Sequence, residues 1–174
     1  GRSSAATDVL KRQLIARGVG HGFSHLAVTD HDTSAGLEVA RGAGSGSGWS
    51  LITGVELSCV WRSHTIHVVG LDFDERDPAF LAALERQNEN RWQRARMIAD
   101  RLSRLNVDQL LERATKVVGG DVPGRPHFAE VLVEDGVVPK VAHAFKRYLG
   151  TGKPGDVKAC WPELPEVVQW IVAA

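Results

Sequence analysis

The sequence has few cysteines and no long hydrophobic run. Its two cysteines, Cys59 and Cys160, are far apart and form no Cys-x-x-Cys pair. This spacing argues against a disulfide scaffold or a structural zinc site, so we predict two unpaired buried thiols. No apolar run has the length of a membrane span, and residues 1–11 lack the apolar centre of a secretory signal. These absences predict a cytoplasmic protein without a membrane partner.

The sequence also has no excess of one charge, but its charges are unevenly distributed. It contains 21 basic and 21 acidic residues. Residues 1–85 carry seven Lys or Arg and ten Asp or Glu, whereas residues 86–158 carry fourteen and nine. An acidic segment favours cations, and a basic segment favours phosphates or other anions. Solvated helix faces that happen to be rich in arginine are an equally good explanation.

Secondary-structure signals in the first part of the chain alternate between helix and strand. Amphipathic patterns and short Val- and Ile-rich segments have the spacing of an α/β sheet or barrel with buried parallel strands. Asp32 or Thr33 is available to cap the second helix. The predicted elements are helices at 7–18 and 34–42, a flexible loop at 42–48, and strands at 25–29, 50–58 and 64–73.

The signals change after residue 75, where no further strand pattern follows. A long amphipathic helix is predicted over 76–107, with Asp77 as its N-cap and Pro78 at its first helical position. The shorter helices predicted after it span 125–136, 141–150 and 165–174. We therefore predict three segments, namely an α/β part over 1–75, an all-helical insert over 76–158 and a return to the α/β part over 159–174.

Three of the predicted strands carry an acid or a histidine, in the region where parallel α/β folds place their active sites. Asp30 and His31 follow one strand, Glu56 lies near the end of the next, and His67 lies on a third. A lone strand histidine is more often a hydrogen-bonded core residue, but three such groups together are harder to dismiss. Ionised carboxylates near a core require a partner, and a divalent cation is the strongest available. Imidazole nitrogen with carboxylate oxygen suits zinc, manganese or iron, and Asp30 would orient the His31 ring.

The predicted helical insert offers groups that bind anions. Arg125 and His127 stand at a predicted helix start, where free backbone N–H groups already favour an anion. Lys146, Arg147 and Lys153 surround a glycine-containing turn, and their side chains suit phosphate oxygens. Ordinary helix-end and surface chemistry explains each of the two segments equally well.

Four stretches resemble the PHP (polymerase and histidinol phosphatase) family of metal-dependent phosphoesterases, in matching order and at fitting distances. They are LAVTDHDTSAGLEVA, LITGVELSCVWRSHTIHVVGLDFD, GRPHFAEVLVEDG and AFKRYLGTGKPGDV. The resemblance is greatest to the branch that removes a phosphate from nucleoside 3′,5′-bisphosphates. Some members of that branch also trim short RNA from its 5′ end. The GRPH and KRYLGTGKP motifs narrow the resemblance to this branch.

The resemblance implies an α/β fold, a partial distorted TIM-like barrel of PHP type with an inserted all-helical subdomain. It implies that His31, Glu56 and His67 are metal ligands at the catalytic centre, with Asp30 in support. It also implies two or three divalent metal ions, with Mn²⁺ favoured and Zn²⁺, Fe²⁺ and Mg²⁺ as alternatives. The five basic-segment residues named above match motifs that bind the substrate phosphate.

The sequence departs from the family pattern at both ends. Family members begin with a strand that bears His-x-His, and they need an Ala-His-Pro strand and an Asp-x-His near the far end. This sequence has none of these motifs. We therefore expect a central segment of a longer protein, with the first barrel strand missing from the segment over 1–75.

The function that the resemblance implies is hydrolysis of a phosphate monoester in a nucleoside 3′,5′-bisphosphate or at the 5′ end of a short RNA. Metal-activated hydroxide would attack phosphorus while cations neutralise the phosphate oxygens. A non-catalytic metal- or nucleotide-binding fragment, or a degenerate PHP module, is the alternative, because three ligands cannot organise a two-metal clamp. A histidinol-phosphatase-like PHP enzyme is a further alternative, against which the helical insert argues.

Overall fold

The computed structural model describes residues 2–43, 48–157 and 161–174, with side chains described from residue 8 onward. Cys160 and most of the predicted loop over 42–48 lie outside these residues. Cys59 is a free and buried thiol, as predicted.

The described strands all lie in the first part of the chain, together with two helices, and the described elements after them are helical. The described elements are α1 (Arg2–Gly20), β1 (His25–Ala27), α2 (Gly36–Ala43), β2 (Ser50–Ile52), β3 (Gly54–Trp61), β4 (His64–Leu71), α3 (Pro78–Arg101), a 3-10 turn (Ser103–Leu105), α4 (Leu110–Val117), α5 (Arg125–Glu134), α6 (Val141–Ala144), a π-helical segment (Phe145–Leu149) and α7 (Leu164–Ala173). The fold is therefore mixed α/β, as predicted. Among the described residues, none of the helices combines the length and the apolar character that a transmembrane helix requires.

The strands differ from the predicted set in number and direction. The strand predicted over 50–58 is divided at Thr53 into β2 and β3. β1 and β2 pair in parallel, but β3 and β4 form an antiparallel hairpin. Its two turn residues, Arg62 and Ser63, both have positive φ, of 47° and 67°. Such a turn matches the twist of the flanking strands, and it usually contains Asn-Gly, so the sequence pattern did not reveal it.

The helices also differ in detail from the prediction. The segment predicted as one helix over 141–150 consists of α6 followed by the π-helical turn. α4 was not predicted at all. Asp77 Oδ1 accepts a hydrogen bond from the Phe80 backbone N–H at 2.7 Å, which confirms Asp77 as the cap of α3.

The chain divides into two compact units, and the division falls within α3. The sheet unit comprises Ala5–Asn88 and Trp161–Ala174, and the helical unit comprises Gly1–Ser4 and Glu89–Cys160. The three-segment division after residues 75 and 158 stays a prediction.

The core of the sheet unit lies around the β3–β4 hairpin and α7. β3 is buried along most of its length, whereas the outward residues of β4 are exposed. The buried side chains that pack together here are Leu37, Val55, Leu57, Cys59, Phe73, Phe80, Leu84 and Val167. A smaller cluster of Ile15, Val28 and Ala40 packs α1 and α2 around β1.

The helical unit has its own apolar core and its own ion pairs. Its largest buried side chains include Phe128, Leu132 and Leu149. Arg113 of α4 lies 2.5 Å from the Asp135 carboxylate at the end of α5, and this guanidinium lowers the pKa of Asp135. The unit therefore has the contents of an independently packed helical body.

A substitution at Gly54 would test the close packing at the start of β3. A Cβ at this position would lie 2.7 Å from the Val28 carbonyl oxygen and 3.0 Å from Thr29 Cγ2. Because backbone cannot move aside easily, we expect Gly54→Ala to lower the free energy of unfolding by about 1–3 kcal/mol, measured by urea denaturation.

The matched control is Gly20→Ala at the end of α1, where no described heavy atom lies within 4 Å of the added Cβ. This variant should be as stable as the wild type or gain up to about 1 kcal/mol from helix propensity. Equal stability of the Gly54→Ala variant and the wild type would contradict the close approach.

Candidate metal centre

Two backbone hydrogen bonds place His31 beside Glu56. The Glu56 N–H donates to the Asp30 carbonyl at 2.9 Å, and the Asp32 N–H donates to the Glu56 carbonyl at 2.8 Å. The two bonds make an isolated parallel bridge between the loop after β1 and strand β3. As a result, His31 Nε2 lies 3.5 Å from Glu56 Oε2.

His67 reaches the same place from the neighbouring strand. It lies on β4 opposite Ser58 of β3, and Ser58 is two positions from Glu56 on the same face of that strand. The rings of His31 and His67 are 4.9 Å apart between centroids and inclined at 73°. One ligand atom from each of His31, Glu56 and His67 lies within 4.8 Å of the other two. The histidines are exposed and Glu56 is half-buried, so the cluster is open to solvent.

The three side chains fit a divalent cation. Two imidazole nitrogens and one carboxylate oxygen form a donor set that suits zinc, manganese or iron rather than calcium. Ligands about 2.1 Å from one ion are separated from each other by about 3–4 Å. The His31 and Glu56 atoms lie 3.5 Å apart, within this range, and the His67 atom lies within 4.8 Å of both. The arrangement can therefore share one ion, and it leaves coordination positions open to water and substrate.

Asp30 has a partner other than the predicted His31 ring. Its Oδ2 atom lies 2.7 Å from Lys11 Nζ and forms an ion pair with it. The angles of this contact do not meet those of a hydrogen bond. Gly36 packs directly over this carboxylate, since a Cβ there would lie 2.0 Å from Asp30 Oδ2. The Asp30–Lys11 ion pair connects the loop after β1 to α1, and the contact with Gly36 packs the same loop against α2. The supporting role of Asp30 at the metal stays a prediction.

Three polar residues next to the cluster were missed by the sequence analysis as part of a site. Asp32, Ser58 and Gln87 are buried, with exposed fractions of 3%, 0% and 0%. Ser58 Oγ lies 3.2 Å from His67 Nδ1, and Asp32 and Gln87 hydrogen-bond to Ser58. From the sequence, Asp32 is predicted only as a possible cap of the second helix. A usable signal was the alternation of Glu56 and Ser58, which places both side chains on one face of β3.

The predicted phosphate-binding residues all lie in the helical unit. Arg125 Nη1 donates to the Leu149 carbonyl at 3.1 Å, and His127 Nδ1 accepts the Gly124 N–H at 2.9 Å at the start of α5. These two side chains therefore support their own unit. By contrast, the remaining three are exposed, and they are Lys146, Arg147 and Lys153. The structure brings the start of α5 next to the segment that follows the π-helical turn.

Comparison with known proteins finds close relatives. The chain is 40% identical over 173 residues to a 5′-3′ exoribonuclease of Haemophilus influenzae, a match that covers 99% of this chain and 63% of that protein. It is 41% identical over 160 residues to the 5′-3′ exoribonuclease Rnm of Escherichia coli, covering 91% and 55%. It is 36% identical over 163 residues to a 3′,5′-nucleoside bisphosphate phosphatase of Chromobacterium violaceum, covering 93% and 57%. No protein-family model matches the chain.

Two solved structures share the fold. An amidohydrolase from Chromobacterium violaceum, solved with sulfate and no metal, superposes with a TM-score of 0.78 at 36% identity, over 94% of this chain and 58% of that one. A candidate metal-dependent phosphoesterase from Bifidobacterium adolescentis gives a TM-score of 0.73 at 24% identity, with the same coverage.

These similarities confirm the predicted resemblance to PHP-type phosphoesterases. The relatives bear the names of the two activities that the sequence motifs had indicated, an exoribonuclease and a nucleoside bisphosphate phosphatase. The chain spans between 55% and 63% of the length of these curated relatives.

The cluster predicts a measurable affinity for Mn²⁺. The full chain should bind the ion in isothermal titration calorimetry, and Glu56→Gln should weaken binding about tenfold or more, because a neutral amide replaces the anionic ligand.

The matched control is Glu75→Gln, which removes an acid that pairs with Arg41 at 2.6 Å, outside the cluster. This variant should bind Mn²⁺ as tightly as the wild type. Unchanged Mn²⁺ affinity in Glu56→Gln would exclude Glu56 as a ligand.

Proposed function

We propose that the protein is a metal-dependent phosphoesterase that hydrolyses a phosphate monoester of nucleoside 3′,5′-bisphosphates and acts on the 5′ ends of short RNA. The observation that carries this proposal is the meeting of His31, Glu56 and His67 within 4.8 Å. A second support is sequence similarity, because the chain is 36–41% identical to proteins named for these activities.

In this proposal His31, Glu56 and His67 hold a divalent cation. The cation, when bound, supplies a Lewis acid that activates water and withdraws charge from phosphate oxygens. The exposed edges of the two histidines give water and substrate access to the centre. Mn²⁺ is the ion that we favour, with Zn²⁺, Fe²⁺ and Mg²⁺ as alternatives, and the complete site would hold two or three ions.

We assign recognition of a substrate phosphate to the helical unit. At the start of α5 the His127 N–H donates to the Gly124 carbonyl and Pro126 has no N–H. The positive end of the helix dipole, rather than a set of free N–H groups, therefore favours an anion there. The exposed Lys146, Arg147 and Lys153 add positive charge, and none of the salt bridges found among the described residues involves them. Arg125 also lies 3.9 Å from Asp156, so it is partly neutralised and contributes less. A basic surface of this kind selects a substrate with a second phosphate.

We further infer that the sheet unit is part of a larger distorted β/α barrel of PHP type, with the helical residues as an insert. The similarity to the Chromobacterium structure supports this organisation, because it extends over 94% of this chain at a TM-score of 0.78. A cytoplasmic location accompanies the proposal, since nucleotides and RNA are found there.

A binding module without catalysis is the second candidate. It is favoured by one observation: the residues that the structure describes bring together three ligand side chains. Such a set can hold one ion, but it does not by itself form a two-metal clamp.

The two candidates differ in phosphate release. With Mn²⁺ and adenosine 3′,5′-bisphosphate, the full-length protein should release inorganic phosphate, and Glu56→Gln should lower the rate about 100-fold or more. Glu75→Gln should retain the wild-type rate. Binding of Mn²⁺ and nucleotide without release by the wild type would favour the module, and absence of both would contradict the two candidates together.

The exposed cations should affect substrate binding more than turnover. We expect Arg147→Gln to raise KM for the bisphosphate about tenfold with little change in kcat, because a charged phosphate contact is lost. Lys140→Gln, which removes an exposed cation before α6, is the control and should leave KM unchanged. Equal KM values for the two variants would exclude Arg147 from the substrate site.

A further inference from the structure

A chain of buried hydrogen bonds runs from α3 to the edge of the metal centre. Gln87 Nε2 donates to Asp32 Oδ1 at 3.0 Å and to the Ser58 carbonyl at 2.7 Å. The Ser58 N–H donates to Asp32 Oδ1 at 2.6 Å, and Ser58 Oγ donates to Asp32 Oδ2 at 2.8 Å. Ser58 Oγ in turn lies 3.2 Å from His67 Nδ1. All four residues belong to the sheet unit.

Asp32 occupies an unusual backbone position from which its carboxylate reaches these donors. Its φ of 56° lies in the left-handed region, which aspartate and asparagine enter more readily than most residues. The side chain is 3% exposed, so its charge depends on hydrogen bonds rather than on water. Two N–H donors already occupy Oδ1, and the Ser58 hydroxyl occupies Oδ2.

This arrangement determines where the protons lie. A carboxylate only accepts hydrogen bonds, so the single Ser58 hydroxyl proton is directed toward Asp32. Toward His67, Ser58 Oγ can then offer only a lone pair. The proton shared between Ser58 Oγ and His67 Nδ1 must therefore belong to the ring. A neutral imidazole with its proton on Nδ1 has its lone pair on Nε2.

We propose that Asp32 is a positioning residue that acts through Ser58 to hold His67 as the Nδ1–H tautomer, so that Nε2 is the metal-ligating nitrogen. The inference deepens the proposed function and rests on it for the role of His67. Gln87 strengthens the arrangement, because its two N–H groups bind both Asp32 and the Ser58 backbone and prevent rotation of the carboxylate.

The proton position can be measured in the metal-free wild-type chain. In mildly alkaline solution, where imidazole is neutral, long-range ¹H–¹⁵N correlation spectra distinguish the two tautomers of a histidine ring. We expect His67, assigned by comparison with His67→Gln, to be the Nδ1–H form. A predominant Nε2–H form would overturn the inference without recourse to any variant.

Asp32→Asn should reverse the proton order. The amide oxygen stays with the two N–H donors, so the amide NH₂ faces Ser58 Oγ and the serine hydroxyl turns toward His67. We then expect the Nε2–H tautomer and a loss of Mn²⁺ affinity of about 10–100-fold. Asparagine keeps the size of the side chain and tolerates the positive φ, so the fold should persist.

The matched control is Asp77→Asn, the same change in a carboxylate that caps α3. It should retain the wild-type tautomer of His67 and the wild-type Mn²⁺ affinity. Ser58→Ala is the second variant, and it should lower the fraction of the Nδ1–H tautomer of His67, because it removes an acceptor that favours this form.

The outcomes separate this inference from the proposed function. If the wild type binds Mn²⁺ and Asp32→Asn changes neither tautomer nor affinity, the positioning role is wrong and the metal centre stands. If the wild type shows the Nδ1–H form but binds no Mn²⁺, the metal centre is wrong, and the role of Nε2 as ligand is overturned with it.

Discussion

The bridge between the loop after β1 and strand β3 is the constraint on which the candidate site depends. Two backbone hydrogen bonds, on either side of Glu56, fix the register between this loop and the strand. The register places His31 against Glu56, and it also brings the Asp32 carboxylate over Ser58, two residues further along β3. A shift by one residue would turn Glu56 and Ser58 to the opposite face and separate both pairs.

The location of the site could be predicted from the sequence, but part of the reasoning was wrong. His31 and Glu56 were expected at the ends of parallel strands, and the bridge between them is parallel. His67 was expected on a further parallel strand, yet it comes from an antiparallel hairpin partner. The sequence does not predict the hairpin, because its turn residues, Arg62 and Ser63, adopt left-handed conformations that are usually occupied by glycine or asparagine. The roles of the three residues as ligands stay predictions.

The buried polar residues could not be predicted from local pattern. Asp32 precedes a helix, and an acid at such a position is ordinarily a cap. Its actual partners are 26 and 55 residues away in sequence, on β3 and on α3. Gln87 lies within an amphipathic helix, where a single buried amide is indistinguishable from a surface one until the neighbouring strand is placed. Long-range hydrogen bonds of this kind depend on the register between neighbouring segments, and the periodicity of apolar residues in the sequence does not reveal that register.

The buried Asp32 is better explained by function than by stability. Removing a carboxylate from water is expensive, and hydrogen bonds to fixed partners only offset that expense. Apolar side chains at all three positions, Asp32, Ser58 and Gln87, would leave no buried donor unpaired, and replacing a whole buried polar set in this way is often neutral or stabilising. Asp32 nevertheless accepts three hydrogen bonds and directs the one hydroxyl that touches His67. A residue that adds little net stability yet orders the protons around a ligand histidine is consistent with selection at the metal centre rather than in the core.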